Sequence, residues 1–264
     1  MSRTVIIAAI PGLLALALLN STLHAGAPVP GEVSTSDWAA IRAVYESELH
    51  AITPREGHTH FARNRGQQWD TEFDGRGVLI LPNHGDWTWG MELRAVGEVQ
   101  FRTSPRTAAQ GNKLSYHWSE AIVEWFLNDQ RGLEQGWTIH SKIENSSRSA
   151  GTPSSGLTLI LGLRGSLQPR ISADQRSVVF QTITGSPALT YGGLKAWDAN
   201  NNSLGVRFMP GPDEATLAIH LDDAQATYPV TIDPLVQQAY LKASNPGERD
   251  RFGAAVAISG DTVV

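Results

Sequence analysis

The sequence contains no cysteine, which excludes disulfide bonds, thiolate catalysis and zinc sites with cysteine ligands. Charged residues fill only 18% of the 264 positions, and the net charge of −5 argues against the basic face of a nucleic-acid binder. The sequence is instead rich in apolar and turn-forming residues, with 41% hydrophobic residues, 8 Trp, 25 Gly and 14 Pro. This balance favours a turn-rich β protein that is stabilised by its core.

The N-terminus has the three-part pattern of an export signal. Arg3 supplies a positive charge, residues 5–19 are apolar, and Leu23-His24-Ala25 ends in a small residue that suits cleavage. The apolar run is shorter than the ~20 residues that span a bilayer, and Pro11-Gly12 interrupts it. We therefore predict a removable signal peptide over residues 1–25. The protein is expected to be secreted, extracellular or in the cell envelope, with no stable membrane span after cleavage.

An amphipathic helix is predicted after a short linker, within residues 26–56. Ser36 is a suitable N-cap, Asp37 follows in the first turn, and the helix is expected to end before Pro54. The apolar residues of one face recur at spacings of three and four: Trp38, Ile41, Tyr45, Leu49 and Ile52. Such a face could dock on a sheet of the same chain or pack against a neighbour.

Beyond residue 56 the hydrophobic period changes from that of a helix to that of half-buried strands. Trp69 and Phe73, for example, alternate with charged residues before an Asp74-Gly75 turn. The other predicted strands are Val78–Leu81, the alternating runs from Trp87 to Leu93, from Leu114 to Trp118 and from Leu157 to Leu163, and then Val178–Thr182, Leu204–Met209, Leu217–Leu221 and Tyr228–Ile232.

The fold class predicted from these short strands is mainly β, with a β-sandwich-like or supersandwich body over residues 57–236 and one helix before it. Two irregular loops are expected within the body, one centred on Pro187 and one over residues 145–155.

Histidines near the start of the body raise the question of a metal site. His58 and His60 would share one face of a strand, and a zinc ion would need a third ligand from Glu56, His84 or Asp86. Ordinary surface histidines explain the pair without a metal, and we predict no metal site.

Carboxylates and triad residue types raise the question of catalysis. Asp222-Asp223 follows a predicted strand and Glu120 lies near Glu124, whereas polysaccharide hydrolysis needs two carboxyls at a set separation. His117, Ser119 and Glu120 are triad residue types, but a triad is defined by geometry. The sequence has no Gly-x-Ser-x-Gly, His-Glu-x-x-His or Gly-x-x-x-x-Gly-Lys motif. We predict no catalytic and no cofactor-binding residue.

Tryptophans are the candidates for glycan binding, because an exposed aromatic face on a sandwich can stack on a sugar ring. The candidate residues are Trp87, Trp89 and Trp125. Core packing is the alternative, since tryptophans in predicted strands occupy the apolar phase of the alternating pattern.

The residues from Asp250 to Val264, DRFGAAVAISGDTVV, resemble the opening of an FG-GAP repeat, the blade unit of integrin-α-like β-propellers. Within them Val256 and Ile258 alternate as one strand, and Gly260-Asp261 suits a tight hairpin. The resemblance implies a C-terminal partial propeller-blade hairpin over residues 237–264. It includes no loop of spaced acidic residues, so no cofactor is expected and calcium is expected only in repeats beyond this chain.

Further stretches resemble a module that precedes arrays of such repeats in large secreted bacterial proteins: Tyr116–Trp118, Glu124–Asp129, Arg131–Trp137 and Tyr228–Leu235. This resemblance extends over most of residues 60–236 and implies an all-β, non-catalytic module. Because repeat units need neighbours, the chain is expected to be the front end of a longer protein or a truncated product.

Three functional hypotheses remain. The first is a non-catalytic extracellular or cell-surface structural module that leads into an FG-GAP propeller and acts in adhesion or in binding a protein or glycan partner, with no role for nucleic acid. The second is a carbohydrate-binding β-sandwich. The third is a polysaccharide-active enzyme, which a carboxylate pair with shifted pKa values facing a cleft would favour.

Overall fold

A computed structural model describes residues 34–143, 156–238, 258–259 and 262–263 of the chain. The elements in chain order are α1 Thr35–Leu49, β1 Thr53–Pro54, a 3₁₀ turn Glu56–His58, β2 His60–Asn64, β3 Trp69–Phe73, β4 Gly77–Pro82, β5 Trp89–Val96, β6 Val99–Gln100, β7 Arg106–Gln110, β8 Lys113–His117, β9 Ile122–Asp129, β10 Gly132–Ile139, β11 Leu157–Gly165, β12 Gln168–Ile171, β13 Val178–Gln181, β14 Pro187–Trp197, β15 Val206–Pro210, β16 Thr216–Leu221, β17 Val230–Gln238, β18 Ile258–Ser259 and β19 Thr262–Val263.

The chain divides into two units, residues 1–42 and 43–264, and the division falls inside α1. In the first unit, Ser34 Oγ accepts a hydrogen bond from the backbone N–H of Asp37 at 3.1 Å and donates to Asp37 Oδ2 at 2.7 Å. This reciprocal arrangement caps the helix N-terminus. The helix prediction is confirmed, but the cap is Ser34 rather than Ser36.

The second unit begins within α1, which ends at Leu49, earlier than the predicted end before Pro54. Ile52 lies beyond the helix, where its backbone N–H donates to the carbonyl of Gly111 at 2.8 Å and its side chain is buried in the core. The placement of Ile52 on the helix face is therefore wrong. The side chain of Ile52 is buried and its backbone N–H is paired with Gly111, so this residue needs no further helical turn to satisfy its hydrogen-bond donor.

Two antiparallel sheets form the body of the second unit, and they are not closed into a barrel. The first sheet has the strand order β1-β2-β3-β4-β5-β11-β16-β15, with β6 paired to β5. The second sheet has the order β12-β13-β14-β17-β10-β9-β8-β7. The mainly β, sandwich-like fold class is confirmed.

Aromatic side chains join the inner faces of the two sheets. Trp89 on β5 packs edge-on against Phe180 on β13, with ring centroids 5.3 Å apart. Phe73 on β3 packs against Phe126 on β9 at 5.2 Å. All four side chains are buried, so the alternating apolar residues of both sheets face one shared core.

Most predicted strands are confirmed. Trp69 and Phe73 are buried in β3 while the residues between them alternate in exposure. Asp74 then forms the predicted turn, because its Oδ1 accepts hydrogen bonds from the backbone N–H groups of Arg76 and Gly77, each at 2.9 Å. The other predicted strands overlap with β4, β5, β8, β11, β13, β15, β16 and β17.

The prediction of an irregular loop around Pro187 is wrong, because β14 begins at this residue and continues to Trp197. Proline is compatible with the first position of a strand. Farther along, the pairing with β17 shifts register between Gly192 and Lys195, and this bulge interrupts the alternation that would have indicated a strand. The other expected loop, at residues 145–155, lies outside the described residues.

The hairpin of β9 and β10 was not predicted, because polar residues occupy inward positions of β9. Its inward side chains are Ile122, Glu124, Phe126 and Asn128, and all of them are buried. Two polar residues among these four positions break the hydrophobic alternation that indicates a half-buried strand.

Close to the C-terminus, Ile258 pairs with Val263 and Ser259 with Thr262 in an antiparallel arrangement. This register confirms, for these described residues, the hairpin predicted around Gly260-Asp261. Within the parts of the chain that the structure describes, no helix is long and apolar enough to cross a bilayer.

Candidate functional site

The outer face of the second sheet carries a group of aromatic and charged side chains on its central strands. We term this group the Trp125 patch: Trp125 on β9, Glu134 and Gly136 on β10, Asp233 on β17 and Lys195 on β14. These positions alternate with buried side chains of the same strands and therefore point away from the core.

The indole of Trp125 lies across the backbone of Gly136 on the neighbouring strand. The two residues are opposite each other in the ladder, and a Cβ added at Gly136 would lie 2.1 Å from Trp125 Cζ2 and 2.5 Å from Trp125 Cε2. Any side chain larger than that of glycine would overlap the ring. Trp125 itself is partly exposed, so the ring forms a surface platform.

Asp233 lies beside Gly136, on the side away from Trp125. The register of β10 with β17 places Asp233 next to Gly136, and the register of β17 with β14 places Lys195 opposite Asp233. Because neighbouring strands are ~4.8 Å apart, the backbones of Trp125 and Asp233 are separated by roughly 10 Å. The indole extends over part of this distance, which brings the aromatic platform toward the carboxyl group.

Asp233 and Glu134 form a carboxyl pair. Burial raises the pKa of Asp233 to about 7, and the charge of Glu134 and a hydrogen bond between the two carboxyls contribute, whereas the positive charges of Lys195 and Arg131 oppose the shift. Arg131, in the turn between β9 and β10, is also ion-paired with Glu134. Near neutral pH the carboxyl group of Asp233 is therefore partly protonated.

Lys113 contacts the same platform. Its Nζ lies 5.4 Å from the centre of the Trp125 ring, and the side chain is on the exposed edge of the patch. An exposed cation–π contact of this kind is worth about 0.5–1 kcal/mol. A ligand that stacks on the outer face of Trp125 has to move this side chain.

A separate row of hydrogen-bonded polar side chains lies inside the core. Trp118 Nε1 donates to Glu124 Oε2 at 2.9 Å, and Gln135 Nε2 donates to Glu124 Oε1 at 2.7 Å. The hydroxyl of Tyr191 donates to Gln135 Oε1 at 2.7 Å. Burial raises the pKa of Glu124 to about 7, although the two hydrogen bonds to the carboxylate act in the opposite direction. Because Glu124 is fully buried, these hydrogen-bonded side chains support the fold rather than contacting a ligand.

The tryptophans singled out from the sequence have different environments. Trp89 is only 1% exposed and packs against Phe180 and Tyr191. Its assignment as a glycan-binding residue is wrong, because a ring without an exposed face cannot stack on a sugar. Trp87 precedes β5, is partly exposed and packs against the core. Trp125 is the candidate that lies on an outer sheet face.

The histidines expected to share a strand face do not do so. His58 ends the 3₁₀ turn, in which Gly57 has a positive φ of 73°, and only His60 enters β2. The side chain of His58 lies outside the described residues. Among the residues that are described, no three His, Asp or Glu side chains are grouped so that they could hold a metal ion.

The carboxylates considered for catalysis are not brought together. Glu120 is exposed ahead of β9, whereas Glu124 faces the interior. Asp223 is nearly buried and accepts a hydrogen bond from the hydroxyl of Tyr228 at 2.5 Å. The pair that does form, Glu134 with Asp233, was not singled out from the sequence.

The C-terminal segment gives the comparison with known proteins. Residues 235–264 match the family model of the FG-GAP repeat. The chain carries an FG-GAP repeat. The match begins at Leu235, inside β17, where this residue lies opposite Glu134 on one side and Gly192 on the other. The FG-GAP repeat therefore starts within a strand that is paired on both sides in the sandwich. A comparison with curated proteins gives no match to the chain.

Proposed function

We propose that the chain is a non-catalytic extracellular or cell-surface module whose sandwich leads directly into an FG-GAP propeller and acts in adhesion or partner binding. The observation that carries this proposal is the FG-GAP match that starts inside β17. FG-GAP repeats are typical of extracellular or cell-surface proteins, and the export pattern of residues 1–25 agrees with that location.

The position of β17 supports a structural role for the sandwich. This strand pairs with β10 on one side and with β14 on the other. Residues 235–238 belong to both the strand and the matched segment. Leu235 and Val236 are therefore held by two ladders, whereas Gln237 and Gln238 pair with β14 alone. A propeller that begins at such a strand would be joined to the sandwich without a separate linker at this point.

The carboxyl pair bears on the choice between binding and hydrolysis. Glu134 and Asp233 are diagonal neighbours on the outer face of the β10–β17 ladder, whereas glycosidase carboxyls flank a scissile bond, about 5–5.5 Å apart in retaining enzymes and roughly 6.5–9.5 Å apart in inverting enzymes. The raised pKa of Asp233 is the feature that favours the alternative, a polysaccharide-active enzyme.

Cells that produce the protein provide the test. We expect the protein from the medium or the cell surface to begin at Gly26 and to be cleaved by protease added to intact cells. A double variant, Leu14→Arg with Leu16→Arg, interrupts the apolar run and should remain inside the cells with Met1 retained. Wild-type protein that stays inside with residues 1–25 intact would contradict the proposal.

Activity on polysaccharides separates the binding module from the enzyme. The exported protein is incubated with β-glucan, xylan, mannan and galactan, and new reducing ends are measured. We expect no release above the buffer control. Release that disappears in Glu134→Gln would favour the enzyme instead.

A further inference from the structure

We infer that the Trp125 patch is a subsite for a neutral pyranose residue of a glycan, which stacks on the outer face of Trp125 and directs its hydroxyls to Asp233 and Glu134. The inference rests on the proposed function, because it names the chemical class of partner that such a binding module would take. It depends on the geometry of the platform, on the polar groups beside it and on the charges around it.

The platform is fixed before a ligand arrives. One face of the Trp125 indole is pressed against the backbone of Gly136, as the 2.1 Å approach of a hypothetical Cβ to Trp125 Cζ2 shows. A ring held in this way loses little conformational freedom when a sugar stacks on its other face, and such preorganisation improves affinity. The absence of a side chain at Gly136 is therefore the feature that makes the platform flat.

Polar groups lie where the hydroxyls of a stacked sugar would reach. Asp233 stands next to Gly136 on the following strand, and Lys195 lies opposite Asp233. Glu134 is the diagonal neighbour of Asp233 across the β10–β17 ladder. Together these side chains offer acceptors and donors along one edge of the indole, which is the arrangement that a ring bearing several hydroxyls requires.

The local charge favours a neutral sugar over an acidic one. Arg131 is already ion-paired with Asp129 and Glu134. Lys195 and Asp233 oppose each other across the β17–β14 ladder. Apart from Lys113, which a stacked ligand displaces, the cations beside the platform already face carboxylates. A sugar carboxylate placed on Trp125 would therefore gain no new ion pair there to offset its desolvation.

Lys113 affects how easily a sugar can stack on Trp125. Its ammonium lies 5.4 Å from the centre of the Trp125 ring, so a stacking ligand has to displace it. Replacement of Lys113 by glutamine shortens the reach to the ring and removes the cation. Affinity for a neutral glycan should then rise or stay the same.

The test uses the purified exported chain and immobilised hexasaccharides of β-1,4-glucan, β-1,3-glucan, mannan, xylan, galactan and chitin, with polygalacturonate as the acidic probe. The glycan bound most tightly is then titrated by calorimetry against four variants. Trp125→Ala removes the platform, Gly136→Ala displaces the ring while keeping the indole, Lys113→Gln frees the outer face, and Trp87→Ala is the matched control at another partly exposed tryptophan. Thermal unfolding of each variant checks that it is folded.

We expect binding to at least one neutral glycan, a loss of ~10-fold or more in Trp125→Ala and in Gly136→Ala, and unchanged affinity in Trp87→Ala. If Gly136→Ala does not fold, Trp125→Ala against Trp87→Ala decides the question. The inference would be overturned if the protein bound no neutral glycan or bound polygalacturonate alone. It would also be overturned if Trp87→Ala lost affinity for the glycan while Trp125→Ala kept it. An exported protein that binds none of these glycans would leave the proposed function standing, whereas a protein retained inside the cells would contradict that function alone.

Discussion

Asn64 on β2 donates from Nδ2 to Oδ1 of Asn128 on β9 at 2.8 Å, which joins the two sheets through a buried hydrogen bond. The Oδ1 of Asn64 accepts from the backbone N–H of Gln67 at 3.0 Å. The Nδ2 of Asn128 donates to the carbonyl of His50 at 2.9 Å. Because both amides are fully buried and hydrogen-bonded, they fix how the β9–β10 hairpin faces the first sheet.

Removal of one amide of this pair should destabilise the protein. Asn128→Ala leaves the Nδ2 of Asn64 without its side-chain acceptor and the carbonyl of His50 without this donor. We expect a loss of about 2–4 kcal/mol in the free energy of unfolding, measured by urea denaturation. Asn83→Ala, at an exposed position, is the control and should change stability by less than about 0.5 kcal/mol. Equal effects of the two substitutions would show that the pair does not hold the sheets together.

Glu124 should make stability depend on pH. Burial raises its pKa to about 7 from the 4.5 of an exposed glutamate, so the folded protein holds this proton more tightly than the unfolded chain does. The contribution of Glu124 is therefore most favourable below pH ~4.5 and falls as the pH rises toward ~7, by about 3 kcal/mol in total. Tyr191, linked to it through Gln135, remains neutral over this range because burial raises its pKa well above 10.

Glu124→Gln isolates this contribution. The free energy of unfolding is measured for wild type and variant from pH 4 to pH 8. We expect the variant to gain stability relative to wild type as the pH rises, because the amide carries no charge to bury. A difference between the two proteins that does not vary with pH would mean that Glu124 is not titrating in the folded state.

Much of the sandwich could be predicted from the sequence, because the alternation of apolar and polar residues within a short segment is enough to indicate a strand. Trp69 and Phe73 alternate with polar neighbours, and β3 follows from that alternation. In β9 the strand could not be recognised from the sequence, because its inward residues Glu124 and Asn128 are polar. These residues can be buried only because other elements supply their hydrogen-bond partners. The candidate site depends on the approach of Asp233 to Gly136, which only the strand order β17-β10-β9 creates.

The turn of the β9–β10 hairpin provides another stability test. Gly132 has a φ of +144°, and a Cβ there would lie 2.1 Å from the carbonyl oxygen of Val236. Gly132→Ala therefore strains the backbone and pushes β10 away from β17. We expect a loss of about 3 kcal/mol or more in the free energy of unfolding. Gly185→Ala is the matched control: its φ is +84° and nothing lies within 4 Å of the added Cβ, so its cost should be limited to about 1–2 kcal/mol of backbone strain.

The central claim is that β17 is a strand of the sandwich and also the start of an FG-GAP repeat. Native-state amide hydrogen exchange of the purified chain tests it most directly, by comparing Val236–Gln238 with the hairpin from Ile258 to Val263. We expect the amides of Val236–Gln238 to be protected far more strongly than those of exposed loops, because all three residues pair with β14 and Val236 pairs with β10 as well. The isolated hairpin should exchange much faster, because two strands alone are marginally stable in water. Exchange of Val236–Gln238 at the rate of exposed loops would contradict the claim.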